Sequence, residues 1–257
     1  MVQKNFHALQ YSLLPAPSEI ADLVDSCWQT RNESLVEQTY TVLPDGVFRV
    51  VLVRQPDQPP QLTLSGLWTR AFETQLAARS TVLGIRFKPL AAPLLGSKQL
   101  LVNEFQTIPL LGSWLGELLL ASPDLLTLAA GLANRLSSWE RDLHAQSLFR
   151  ALAQSAGTGP IAQLAAAAEW SPRRLNRYFQ AQFGLPVKVY ANVLRSYAAV
   201  QQLGRGKLSA SESYYDQSHG IREIKKHTGV SPRQLDQLRR NRFIQLCPPG
   251  EPDLRAS

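Results

Sequence analysis

Reactive side chains are scarce in this chain. Only two cysteines are present, Cys27 and Cys247, and they lie far apart. They form no CxxC pair and frame no disulfide scaffold. Histidine is nearly as rare: there are 4, and only His7 and His144 fall outside residues 158–247. A multi-histidine metal centre is thereby excluded from the N-terminal part, and a carboxylate-only catalytic metal site is not expected there. "GSWLG" is not the GxSxG nucleophile elbow, and no phosphate-binding glycine loop occurs. No catalytic residue, metal ligand or cofactor is therefore assigned. Long apolar runs are missing too. "IPLLGSWLGELLLA" is broken by Gly, Trp and Glu well short of a membrane span. "MVQKNFHALQYSLLPAP" lacks the continuous apolar segment of a signal peptide. The expectation is a soluble, reduced, cytoplasmic, non-enzymatic protein with no membrane partner.

What the chain does have is apolar material and unevenly placed charge. A hydrophobic fraction of 44% over 257 residues is enough for one large domain or two modest ones. The net charge is +7. Residues 158–247 hold 14 Lys and Arg against 5 Asp and Glu, a local +9, which leaves −2 for everything else. A basic module joined to a near-neutral one is the footprint of a nucleic-acid reader with a separate sensing or assembly domain.

The first hundred residues favour strands. "YTVLPDGVFRVVLVR" has two β-rich runs around Pro-Asp-Gly, a turn signal in which Asp45 reads as a turn residue. "STVLGIRFKP" alternates Leu83, Ile85 and Phe87 as a half-buried strand would, and "QLTLSGLW" is similar. "APSEIADLVDSCWQT" reads as a helix capped by Ser18. From about Ser97 the spacing turns helical, until "SAGTGP" breaks it as a linker. Trp28, Trp68 and Trp114 read as core aromatics, with pocket walls as the alternative.

The basic module opens with "IAQLAAAAEW", which puts Ile161, Leu164, Ala165 and Ala168 on one helical face. In "SPRRLNRYFQAQFG", Ser171 is an N-cap and Pro172 takes the first helical position. Leu175, Tyr178, Phe179 and Gln182 share one side of the helix. Arg173, Asn176, Arg177 and Gln180 share the other, with Arg174 beside them. Guanidinium forks and amides are the groups that read guanine and adenine edges in the major groove. "DQSHGIREIKKHTG" repeats the plan from the cap Asp216: Ile221 and Ile224 point one way. Gln217, Ser218, His219, Arg222, Lys225 and Lys226 form or flank the exposed side. Each copy runs 13 residues from cap to glycine; an apolar residue follows, with a Pro directly after it in the first copy and one residue later in the second. "VKVYANVLRSYAAVQQL" between them reads as a longer amphipathic helix.

The stretch "IAQLAAAAEWSPRRLNRYFQAQFGLPVKVYANVLR" together with "DQSHGIREIKKHTGVSP" resembles the double helix-turn-helix domain of AraC-type transcriptional regulators. "LPDG", "SGLW" and "GIRFKPLAAPLLG" resemble the N-terminal domain of one branch of that family. The resemblance implies an α+β chain. Residues 1–96 would be a mixed strand-and-helix effector domain, barrel- or sandwich-like, and 97–154 a helical connector. Residues 155–247 would be an all-α DNA-binding domain, and 248–257 a flexible tail. The implied partners are double-stranded DNA, a small-molecule effector and a second copy of the chain. Three departures stand out. Glu169 occupies the turn where the family usually has Gly, Gly220 replaces an aromatic, and only "LSASES" stands where a second scaffold helix is expected. The second helix-turn-helix therefore reads as eroded. That leaves open a second function, a protein-interaction module derived from such a regulator with weakened DNA reading.

Overall fold

The computed structural model describes residues 1–6, 9–96, 101–204 and Lys225. Nine strands come first: β1 (Val2–Phe6), β2 (Leu9–Pro15), β3 (Val24–Asn32), β4 (Gln38–Val42), β5 (Phe48–Arg54), β6 (Gln61–Ser65), β7 (Phe72–Leu76), β8 (Thr81–Phe87) and β9 (Phe105–Thr107). Six helices follow: α1 (Trp114–Ala121), α2 (Leu125–Leu136), α3 (Leu143–Gln154), α4 (Ile161–Ala167), α5 (Pro172–Phe183) and α6 (Val187–Gly204). The chain is thus α+β. Seven strands form one antiparallel sheet in the order β1-β2-β3-β8-β5-β6-β9, and β4 and β7 pair separately.

Period-two alternation sorts the large sheet into two apolar faces. On β5, Phe48, Val50 and Leu52 enter the main core, while Val51 and Val53 pack against a second cluster with Trp28 and Val82. Helices α1 and α2 lie against the first face. The β4–β7 pair contributes Tyr40 and Leu76 to the second cluster. Strand β8, central in the sheet, is therefore covered on both sides rather than half-buried, and six of its seven residues are buried. The main core continues without a break from Ile20 through the helices to Ala191. Phe149 of α3 lies among Phe179, Phe183 and Tyr190, so the connector shares its packing with the helices after the linker.

Two expectations from local pattern do not hold. The segment opening at Ser18 forms only a 3-10 turn, Ser18–Ile20, and then strand β3. Ser18 does not cap; its hydroxyl donates to Glu19. Pairing with β2 and β8 on both edges satisfies the β3 backbone, and that tertiary gain outweighs the helix-like spacing. Likewise, the helical spacing read from about Ser97 does not give helix throughout: among the described residues, Phe105–Thr107 pairs with β6, and α1 starts only at Trp114.

Asp45 is more than a turn residue. The β5–β8 register sets Arg49 directly opposite Arg86, and like charges facing each other across strands repel. Asp45 lies between them, ion-paired to Arg49 and, at 3.0 Å, to Arg86. Arg86 also meets Asp25 at 2.9 Å. Burial alone would push the Asp25 carboxyl up, but Arg86, the Ser26 hydroxyl, Lys88 and Arg49 together outweigh it and hold it below the usual range. The stability Asp25 contributes is present above the ordinary Asp pKa and is lost as pH falls through the depressed one.

The next residue, Gly46, seats this loop on α6. Its carbonyl accepts from the Tyr190 hydroxyl at 3.0 Å. Its φ of +77° is left-handed, and a Cβ there would stand 2.6 Å from Leu194 Cδ2. Gly96 is also left-handed, at φ +62°, but a Cβ there meets no atom of the described residues within 4 Å. Gly96→Ala is expected to cost about 1 kcal/mol from backbone strain alone. Gly46→Ala adds a clash with α6 and is expected to cost about 2–4 kcal/mol. Denaturant midpoints of the two variants check this; equal losses would mean that the loop is not pressed against α6.

Candidate nucleic-acid interface

Helix α4 buries Leu164 and Ala165, with Ala168 just beyond it, on the face that the sequence assigns to packing. The chain then turns through Glu169 at φ +55°. The left-handed conformation is kept although the residue is not glycine, so the turn geometry survives the substitution. Trp170 is buried behind it.

Helix α5 starts where the cap predicts. The Ser171 hydroxyl accepts from the Arg174 amide at 3.2 Å, and Pro172 fills the first position, where no amide is needed. The helix ends at Gly184, φ +65°, whose amide donates to Gln180. Its inner face buries Leu175, Phe179 and Phe183. Phe179 and Phe183 have ring centroids 5.1 Å apart, and Tyr190 of α6 lies 5.5 Å from Phe179. Tyr178 is half-buried and bridges to Trp170 at 4.9 Å. This aromatic cluster fixes the rotation of α5 about its axis.

The outer face carries Arg173, Arg174, Asn176, Arg177 and Gln180, all exposed. Five of the residues expected to face a nucleic acid are therefore brought together on one helix. They are not equivalent. The Arg174 guanidinium is held 4.9 Å over the Trp170 ring, a cation–π contact. Asn176 donates to the Pro172 carbonyl at 3.4 Å. Arg173 and Arg177 are exposed and form no ion pair with any described carboxylate. From the second copy, Lys225 is helical and exposed. Gln217, Ser218, His219, Arg222 and Lys226, with Asp216, Gly220 and "LSASES", lie outside the described residues, as does the tail 248–257.

Sequence reading passed over the residues that tie this unit to the β domain. Tyr190 and Leu194 of α6 meet the Gly46 loop, and Tyr197 lies within electrostatic reach of Arg86, Asp45 and Asp25. Burial raises the pKa of both tyrosines, Asp45 adding to that at Tyr190, so both stay neutral and the Tyr190 hydroxyl keeps the proton it donates to Gly46. The signal was present only as Gly after Pro-Asp and as tyrosines at a seven-residue interval in α6; neither has meaning until the two elements are placed together.

The Glu169 turn has a measurable consequence. The Glu169 carboxylate gains only a 3.8 Å approach to the exposed His144 ring, which offsets little of the left-handed strain. Glu169→Gly is expected to raise folding stability by up to about 1 kcal/mol, read from the denaturant midpoint; a fall would mean that the turn relies on this side chain.

Residues 164–238 match the family described as a helix-turn-helix domain. Residues 12–105 match a family described as a domain of unknown function (DUF6597). Neither a curated protein nor a solved structure matches the chain. The first match begins inside α4 and covers all of α5 and α6, the segment whose outer face is described above. No described helix is long and apolar enough to cross a membrane. The helix-turn-helix match over this segment supports an AraC-type, DNA-binding transcriptional regulator.

Proposed function

We propose that the chain reads double-stranded DNA in sequence-specific fashion, with the outer face of α5 lying in the major groove. Arg173, Asn176, Arg177 and Gln180 would contact base edges, and Arg174, tied to Trp170, would sit nearer the phosphates. The observation that carries this reading is the contrast between the two sides of α5. Its inner face is locked by aromatic rings, and its outer face presents two exposed guanidinium groups with no ion pair among the described residues. Base discrimination needs that rigidity, because a bidentate arginine must align both nitrogens with one base edge.

The second copy has a different share in this proposal. Gln217, Ser218, His219, Arg222, Lys225 and Lys226 would act chiefly on phosphates. The segment before them offers only "LSASES" as a scaffold, and Gly220 stands where an aromatic would pack. Point charges tolerate looser positioning than base-reading forks. The β domain would respond to a small molecule and pass its state to the reader through the Gly46 loop on α6. A second copy of the chain would engage the other half of a two-part DNA site.

Arg177→Ala is expected to weaken binding by about 1–3 kcal/mol and relax preference at one base position. Arg222→Ala is expected to weaken all sequences evenly and lower the salt slope by about 1. Selection from a randomised duplex library, followed by titrations at several salt concentrations, measures both. Wild-type affinity is expected to fall at least about tenfold between roughly 50 and 200 mM salt. A flat salt response would favour the protein-interaction function instead. Loss of discrimination in Arg222→Ala with Arg177→Ala unchanged would reverse the two roles.

A further inference from the structure

At one end of the large sheet the register again brings arginines together, here with no carboxylate paired between them. Thr81 of β8 pairs with Arg31 of β3 on one side and with Arg54 of β5 on the other. Residues directly opposite each other share a face, so both arginines lie on the same side of the sheet. Arg79, two residues before Thr81, joins them around an open cavity of about 540 Å³. Arg31 and Arg79 are exposed and Arg54 is half-buried. None of the three forms an ion pair with any described carboxylate.

The acids nearby are engaged elsewhere. Glu33, the one carboxylate in the cavity wall, accepts from the Gln10 amide at 2.9 Å. Asp124 follows the wall residue Pro123 and caps α2 by accepting from the Thr127 amide. The wall therefore carries a net +2, three arginines against one glutamate. Arg54 is partly offset: it donates to the Leu119 and Leu120 carbonyls at 3.2 and 3.4 Å. Those carbonyls end α1, and a helix C-terminus carries about half a negative charge. Arg49 and Arg86 face each other across Asp45, whereas the arginines around Thr81 leave that role to a bound anion.

The turn that carries Arg79 is firmly held. Asn32 is buried and donates to the Leu76 and Ala77 carbonyls at 3.0 and 2.9 Å. The Ser80 hydroxyl donates to Ala77 at 2.6 Å, and the Arg79 amide donates to Ser34 at 3.1 Å. Arg79 itself has φ +53°, a left-handed conformation that glycine adopts freely and arginine only at a cost. Strained backbone of this kind gathers at ligand clamps. The Thr81 and Gln29 side chains are half-buried in the same wall. Neither makes a hydrogen bond among the described residues, and both can donate.

Guanidinium forks match phosphate oxygens in geometry as well as charge. A phosphate monoester carries about −1.5 to −2 at neutral pH, which balances this wall. A single carboxylate would leave it positive. The site stands at the far end of β5 from Gly46, roughly 20 Å by strand length, so it is separate from the seat of α6.

We infer that Arg31, Arg54 and Arg79 form a binding site for a small molecule bearing a phosphate monoester, with Thr81 and Gln29 as further donors. The inference goes beyond the α5 reading and does not rest on it. Calorimetric titration of the full chain compares glycerol 1-phosphate, glycerol and acetate at equal ionic strength. The phosphate is expected to bind about tenfold or more tighter than either of the others. Arg79→Gly relaxes the left-handed backbone and keeps the amide that donates to Ser34. It is expected to leave the melting temperature of the free protein unchanged or higher, while affinity for glycerol 1-phosphate drops about tenfold. Arg31→Gln, at an exposed position, is expected to lower that affinity as well. The affinity of Arg79→Gly for duplex DNA is expected to stay within about twofold of wild type, because the charge removed lies beyond the screening length from α6. No binding of glycerol 1-phosphate, acetate binding as tight, or undiminished phosphate affinity in either variant would each overturn the inference. So would an equal loss of DNA affinity in Arg79→Gly, since the arginines would then serve the DNA backbone. None of these results decides the α5 reading, which is judged on DNA titrations of Arg177→Ala.

Discussion

A single carboxylate, Asp45, sits between two arginines that the strand register forces to face each other. Without it, β5 and β8 would bring like charges together in a buried place. Removing one partner from such a cluster typically costs about 3–5 kcal/mol, because the charge left behind is uncompensated. The cost of burying Arg49, Arg86 and Asp45 is offset further because the half-exposed Asp25 of β3 closes the set on Arg86. The central sheet, the space between the two sheets and the loop against α6 all rest on this arrangement, since Arg49 lines that space and Gly46 follows Asp45 directly.

The two faces of β5 explain how one domain can hold a core on one side and a cavity between its sheets on the other. Phe48, Val50 and Leu52 are fully buried against the helical side and supply stability there. Arg49, Val51 and Val53 turn to the other side, where the two-stranded β4–β7 sheet is too small to fill the space. The helix side shows no such looseness: the core runs from the sheet into the aromatic cluster behind α5. Reader and β domain therefore share one packed interior, and a shift of the Gly46 loop has Tyr190 and Leu194 of α6 as its immediate neighbours.

Legibility in the sequence followed the range of the interactions. Ser171, Pro172 and Gly184 act within one helix, and each was readable because cap, start and stop are local. The sorting of α5 into Leu175 and Phe179 against Arg173 and Arg177 was readable for the same reason. Ser18 misled, because the strand partners of β3 lie before and well after it in the chain. The double burial of β8 was hidden, since the alternation of Leu83, Ile85 and Phe87 does not reveal what covers the other face. The placement of Thr30 and Arg49 on either side of one strand was out of reach altogether. Thr30 and Arg49 are ordinary strand residues until β8 is known to run between their strands.

At the reader, the physical account comes down to one face of one helix. Its rotation is fixed from behind by Phe179, Phe183 and Tyr190, and its guanidinium groups are exposed in front. The most direct measurement is photo-crosslinking from a benzophenone side chain installed at position 177, with a second protein carrying it at the exposed Leu126 of α2 as control. Mixed with a randomised duplex pool, the position 177 protein should crosslink to DNA and enrich particular sequences, while the position 126 protein should not. Crosslinks from position 126 with none from position 177 would contradict the account.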